Sequence, residues 1–128
     1  MVSEPAVRRG DVYLVTLNPT RGREIRKTRP CVVVSPDELN AHMGTFIVAP
    51  LTSGSHPYPF RVACRFGGKD GHVILDQIRT VDEERLGKRL GALTVATMTK
   101  VLGVLQAMFI ARATQRALLQ SKAVRYAV

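Results

Sequence analysis

Beyond Glu84 the chain carries no acid at all. Only 10 of its 128 residues are Asp or Glu, against 19 Lys or Arg, for a formal net charge of +9. Arg85, Lys88, Arg89, Lys100, Arg112, Arg116, Lys122 and Arg125 stand without a single carboxylate among them. So skewed a distribution points to a surface that meets a polyanion, because Lys and Arg that bind phosphates release condensed counterions; a merely solvated basic face is the alternative. Tryptophan is absent, which removes any recognition mode that depends on one. The two cysteines, Cys31 and Cys64, sit among aliphatic residues and fit buried free thiols in a reducing cytoplasm rather than a disulfide framework. His42, His56 and His72 are isolated, and no Cys or His pair has ligand spacing, so no metal or other cofactor is expected. No Gly-rich phosphate loop stands between a strand and a helix, and nucleophile-elbow and helical His-Glu patterns are missing. The longest near-apolar run, VLGVLQAMFIA, is interrupted by Gln106 and falls well short of the about 20 residues needed to span a bilayer. No N-terminal apolar stretch has signal length, so neither membrane insertion nor secretion is expected.

What is present suits one domain with its own core: 45% of residues are hydrophobic and 23% charged, ordinary globular usage. VYLVTL (12–17) and CVVV (31–34) read as strands buried on both faces. The connection between them holds Asn18-Pro19-Thr20, Gly22 and five basic residues within 21–29, and a loop this long and donor-rich more often carries function than packing. Ser35-Pro36-Asp37-Glu38 offers a cap, a first-position Pro and an acid, predicting a short helix to about His42. TFIVAPLTS (45–53) is a strand, SHPYP (55–59) a turn, FRVACRF (60–66) an alternating strand, GGKDG (67–71) a turn and HVILDQIRTV (72–81) another strand. A short strand is expected at 89–93. Thr94 caps a helix whose stripe runs Met98, Val101, Leu102, Leu105, Met108, Phe109. The same face turns basic at Arg112 and Arg116, either overhanging into solvent or meeting a partner. Residues 1–7 read as a loose tail, 8–110 as the body and 111–128 as a basic helical extension or tail. The body is mainly β, a small barrel with a C-terminal helix packed on it.

Candidate chemistry gathers at strand ends. Arg29 precedes Pro30, which forces an extended backbone on it and so aims the guanidinium; an ordinary loop arginine in a surface ion pair is the other reading. Thr52 and Ser53 end a strand before a glycine, where hydroxyls either serve a ligand or close a turn. Asp76 shares a strand face with Ile74 and Ile78 at period two, so its carboxylate needs a cation or donors, as an active-site acid or as half of a structural ion pair. Gln77, Arg79 and Thr80 extend a polar run suited to hydrogen bonds with bases or with backbone. Lys69 and the SHPYP turn are further candidates for contact, and His56 is either a base ligand or a solvent-facing loop residue.

Taken together, Arg9-Gly10-Asp11-Val12-Tyr13, Leu17-Asn18-Pro19-Thr20, Gly22 with Glu24, Thr28-Arg29-Pro30 with CVVVS, VAPLTSG, YPFRV, LDQIRTVD and Lys88-Arg89-Leu90 resemble the MazF/PemK (Kid) family of toxin–antitoxin endoribonucleases, over roughly Arg9 to Phe109. The resemblance implies an SH3-like β-barrel, a homodimer, and metal-independent, sequence-specific cleavage of single-stranded RNA. It also implies an acidic antitoxin whose disordered tail folds over the RNA face. Arg29 and Thr52 match the family's most consistent cleavage pair, and Glu24 and Asp76 match acids implicated in some members. This chain has Arg23 and Ile74 where one member type carries His and Arg. Arg21, Arg23, Arg26, Lys27, Thr28, Ser53, His56, Gln77, Arg79 and Thr80 are then the expected RNA contacts. RNA supplies its own nucleophile, the 2′-hydroxyl, so the protein need only deprotonate it, align it and stabilise charge on phosphorus. Arg29 suits the last task and, being always protonated, cannot be the base. That role falls to Glu24 or Asp76.

Two other readings share the barrel. A CcdB-like gyrase poison would use an apolar cluster including Trp at the chain's end, whereas this chain ends SKAVRYAV. An inactive SH3-like nucleic-acid binder would bind RNA without cutting it.

Overall fold

A computed structural model describes residues 6–54 and 56–120. Strand β1 (Asp11–Thr16) lies antiparallel to β2 (Thr28–Val33), and β2 to β3 (Thr45–Ser53). Alternate side chains of a strand go to opposite faces, and over Cys31–Val33, the second half of β2, both faces are dry. Val32 joins a cluster with Val12, Ala49, Leu51, Val62 and Val73, while Cys31 and Val33 join another with Val15, Phe46, Val48 and Val81. A strand with no solvent side has no use for polar alternation, which is why CVVV lacks it.

Strand β3 is long enough to serve two partners on one side of the barrel. Its first half, Thr45 to Val48, pairs with β6 (Arg79–Asp82), and Leu51 to Ser53 pair with β5 (Lys69–Ile74). With β4 (Arg61–Phe66) and β7 (Leu86–Ala92) at its edges, the antiparallel order is β4-β5-β3-β2-β1-β7. The sheet curls until its edges meet: a Cβ added at Gly91 of β7 would stand 3.3 Å from the Phe66 ring of β4. The expected SH3-like barrel is therefore present, brought together by side-chain contact; no ladder joins β4 to β7 among the described residues.

Three α-helices complete the fold among the described residues: α1 (Asp37–His42), α2 (Val95–Met108) and α3 (Arg112–Leu119). Thr94 caps α2 as expected, its hydroxyl accepting from the Thr97 N–H at 3.2 Å. Met98, Val101 and Val104 of α2 cover the first cluster. No helix among the described residues is long and apolar enough to cross a membrane.

Several expectations need correction. The buried line of α2 is Met98, Val101, Val104, Ala107, so Phe109 falls past its end and is 72% exposed. Arg112 and Arg116 sit on the separate helix α3 and do not continue that face. Ser35 caps nothing: its hydroxyl is buried, bonding to Asn40 and accepting from the Ile47 N–H, and so ties α1 to β3. In GGKDG only Gly67 and Gly68 turn, both at positive φ, the tight hairpin geometry that glycine permits; Lys69 to Gly71 belong to β5. HVILDQIRTV is two strands parted by a 3-10 turn (Leu75–Gln77). The last strand begins at Leu86, not 89. Of the expected tail, residues 1–5 lie outside the described residues, while Val7 packs against the second cluster. Residues 121–128 of the expected extension, with Lys122 and Arg125, also lie outside them.

Burial pushes the Cys31 thiol up to about 12, with Arg79 pulling weakly the other way. A folded-state value raised above the ordinary 9.0 favours the folded chain while the thiol stays protonated. Stability against urea should thus be insensitive to this group below that ordinary value and fall as pH climbs from there. Urea titrations of wild type and Cys31→Ala across that window check it: the variant should lack this component of the decline.

Candidate active site

Arg29 is the second residue of β2, opposite Val15 of β1, with Pro30 holding it extended. The β2–β3 register pairs Cys31 with Pro50 and Val32 with Ala49; continued toward the start of β2, it sets Arg29 across from Thr52. Both line one cleft of about 180 Å³, with Ser53, Lys69 and Gly71 also in its wall. Among the described residues only Nε of the guanidinium is engaged, donating to the Arg26 carbonyl at 3.3 Å. Thr52 Oγ1 is buried and has no hydrogen-bond partner among the described residues. An orphaned buried hydroxyl costs about 1–3 kcal/mol, a cost that a structure sustains where an arriving ligand supplies the missing partner. A cation and an unpaired donor on residues that line one cleft are suited to phosphate oxygens.

The two candidate acids lie elsewhere. Glu24 and Asp76 line a second cavity of about 490 Å³ with Gln77, Arg79 and Thr80. Pro50 in its wall immediately precedes Leu51 in the wall of the first cleft. The expectation that Asp76 shares a strand face with Ile74 and Ile78 is corrected: the 3-10 turn breaks the period of two, leaving Asp76 exposed beside buried Ile74 and Leu75. Both its oxygens accept from Arg61, Nε and Nη2 each at 3.0 Å. The hydrogen-bonded carboxylate raises Arg61 above the usual guanidinium value despite partial desolvation. Asp76 is thus half of an ion pair. Glu24 is bound more lightly, accepting from the Arg21 N–H at 2.7 Å while its own N–H donates to the Arg21 carbonyl at 3.1 Å.

The first loop, residues 17–27, is fastened from behind. Gln77 accepts from the Ile25 N–H at 2.8 Å, and Arg79 donates to the Leu17 carbonyl at 2.9 Å. Arg85 donates to the carbonyls of Thr16 and Asn18 at 3.0 and 2.6 Å, and Asn18 accepts from the Lys27 N–H at 3.1 Å. Gln77 and Arg79, for which bases and backbone were both open, bond backbone here and hold the loop. Arg21, Arg23, Arg26, Lys27 and Thr28 are exposed on it and on the entry to β2, with Arg26 Nη2 donating to the Gly22 carbonyl at 3.1 Å. Ser53 is exposed at the end of β3, His56 in the following turn and Thr80 at the rim of the acid cavity.

Sequence reasoning missed Arg61, Arg85 and Gly71. A hairpin centred on Gly67-Gly68 pairs Arg61 with Ile74, two residues from Asp76, so the register was the available signal. Gly71 matters through contact: a Cβ there would lie 2.0 Å from the Thr52 carbonyl oxygen.

This arrangement has known counterparts. The family model described as PemK-like, MazF-like toxin of type II toxin–antitoxin system matches residues 8–109. The endoribonuclease MazF of Staphylococcus epidermidis is 38% identical over 101 residues, covering 74% of this chain and 84% of that one. Among solved structures, MazF from Deinococcus radiodurans superposes with a TM-score of 0.71 at 28% identity, covering 84% of this chain and 97% of that chain. An endoribonuclease from Mycobacterial species, in complex with its cognate antitoxin, gives 0.67 at 30% identity, covering 88% and 97%.

Proposed function

The chain belongs to the PemK-like, MazF-like toxins of type II toxin–antitoxin systems and is an endoribonuclease, and we propose that it cuts single-stranded RNA, at selected sequences and without a metal, by turning the substrate's own 2′-hydroxyl on the adjacent phosphorus. The O2′–P bond forms as the P–O5′ bond breaks, giving a 2′,3′-cyclic phosphate and a 5′-hydroxyl end. Arg29 presents its fork to the non-bridging oxygens, where charge builds in the pentavalent transition state. Thr52 donates its hydroxyl to the same group. The observation that supports this most directly is the buried, unpartnered hydroxyl of Thr52, a residue that lines the same cleft as Arg29. Glu24 takes the proton from O2′, since Asp76 is committed to Arg61, and solvent protonates the leaving O5′.

Single strands suit a protein that reads bases from loops, because their bases can be splayed from the stack. The exposed cations of the first loop then track the backbone, held in position by Gln77, Arg79 and Arg85. In this reading the toxin is a cytoplasmic homodimer, and an acidic antitoxin segment competes for the same basic face. The +9 charge steers both ligands, and the mycobacterial relative carries its antitoxin in the solved complex.

Primer extension on a long natural RNA, with EDTA present, reports activity and sites together. A short RNA carrying the mapped site should be cut, the same RNA with one deoxyribose at the cut position should not, and an acidic antitoxin peptide should protect the first at physiological salt. Equal cleavage of the deoxy substrate would refute attack by O2′, loss of activity in EDTA would remove metal independence, and failure of the peptide to compete would remove the shared face.

A further inference from the structure

The turn after β3 holds an aromatic ring out into solvent and grips it from behind. Tyr58 is 52% exposed and stands between Pro57 and Pro59, which restrict the backbone on either side. Phe60 follows with φ +67, a conformation that bulky residues rarely adopt and that persists only where the surroundings impose it. Here the core imposes it, because Phe60 packs against the first hydrophobic cluster. Arg61 then closes the turn, its N–H donating to the Tyr58 carbonyl at 3.1 Å. Its guanidinium carbon lies 5.1 Å from the centre of the Tyr58 ring, within cation–π range. Asp76 fixes that guanidinium with two bonds of 3.0 Å. Tyr58, Pro59, Arg61 and Asp76 together line a shallow groove, and Asp76 also belongs to the wall of the acid cavity.

We propose that Tyr58 is a stacking platform for one base of the bound RNA, beside the cleft where the backbone is cut. This rests on the endoribonuclease reading. Stacking needs a flat ring whose ordering cost has been met before the ligand arrives, and the two prolines, the strained Phe60 and the Arg61–Asp76 clamp meet it. A solitary exposed tyrosine is ordinary; one immobilised on three sides is not. The chemistry favours a base over an acidic antitoxin side chain, because Asp76 already neutralises Arg61 and leaves the groove little to offer a carboxylate.

The test uses the full chain and the mapped RNA, with deoxyribose at the cut position so that binding is read without cleavage and 2-aminopurine placed at each flanking position in turn. At one position the wild type and Tyr58→Phe should quench the fluorophore, while Tyr58→Leu should not and should bind about 10-fold more weakly. An abasic site at that position should weaken the wild type comparably and cost Tyr58→Leu nothing further. Undiminished binding by Tyr58→Leu, additive losses, or weakening confined to an acidic antitoxin peptide would each overturn the platform. If Tyr58→Leu binds normally while the wild type still cuts the all-ribose RNA, only the platform falls; if the wild type neither binds nor cuts RNA, the endoribonuclease reading falls with it.

Discussion

Arg29→Ala should cleave the mapped RNA about 10²–10³-fold more slowly than the wild type in single turnovers, the loss typical of removing one preorganised donor from a developing oxyanion. Its melting temperature should barely move. Arg29 is exposed, and its one side-chain bond among the described residues, to the Arg26 carbonyl, is long at 3.3 Å; surface bonds of this kind contribute little to folding. Lysine should restore only part of the rate, since a point charge cannot engage two oxygens with the planar fork that Pro30 aims. Glu24→Gln should also slow the reaction, because the amide keeps the loop's bond to the Arg21 N–H but takes no proton. A folded Arg29→Ala chain that cuts at the wild-type rate removes Arg29 from the mechanism.

Much of the site was legible because it depends on local rules. The pairing of an arginine with a following proline, and of a hydroxyl with a strand end, can be read without tertiary structure, and the register of β2 on β3 then brings Arg29 and Thr52 into one cleft. The acids were less legible. Asp76 and Ile74 look like same-face residues only if the strand continues, and nothing in HVILDQIRTV announces a turn. The break arises because β3 pairs with β5 through Leu51–Ser53 and with β6 through Thr45–Val48, which obliges the chain to step from one part of β3 to the other between Ile74 and Arg79. That step is a tertiary demand. Gln77 and Arg79 stayed ambiguous for a similar reason: polar residues suited to bases suit backbone carbonyls and amides equally well, and the backbone groups they bond lie 52 and 62 residues away in sequence. The helix was overread at its end, where the apolar stripe continues into Phe109 but the buried surface does not.

Gly71→Ala is expected to damage both stability and catalysis, through one contact. Gly71 lies in β5 between two neighbours, opposite Ser53 of β3 and Cys64 of β4. A methyl group there would stand 2.0 Å from the Thr52 carbonyl oxygen, 2.9 Å from the Thr52 carbonyl carbon and 3.0 Å from the Ser53 Cα. All three are backbone atoms, so no rotamer change relieves the clash, and β3 must move away from β5. Overpacking of this kind costs about 1–3 kcal/mol, readable as a lowered melting temperature. The part of β3 that moves carries Thr52, whose hydroxyl has to meet phosphate oxygens within a few tenths of an ångström to be effective. The rate at saturating RNA should therefore fall even well below the melting temperature, where nearly every molecule is folded, while KM changes less because the loop cations remain in place. A Gly71→Ala chain that melts and cuts like the wild type would mean that β3 and β5 are not held this close, and Thr52 would lose the fixed position on which its role depends.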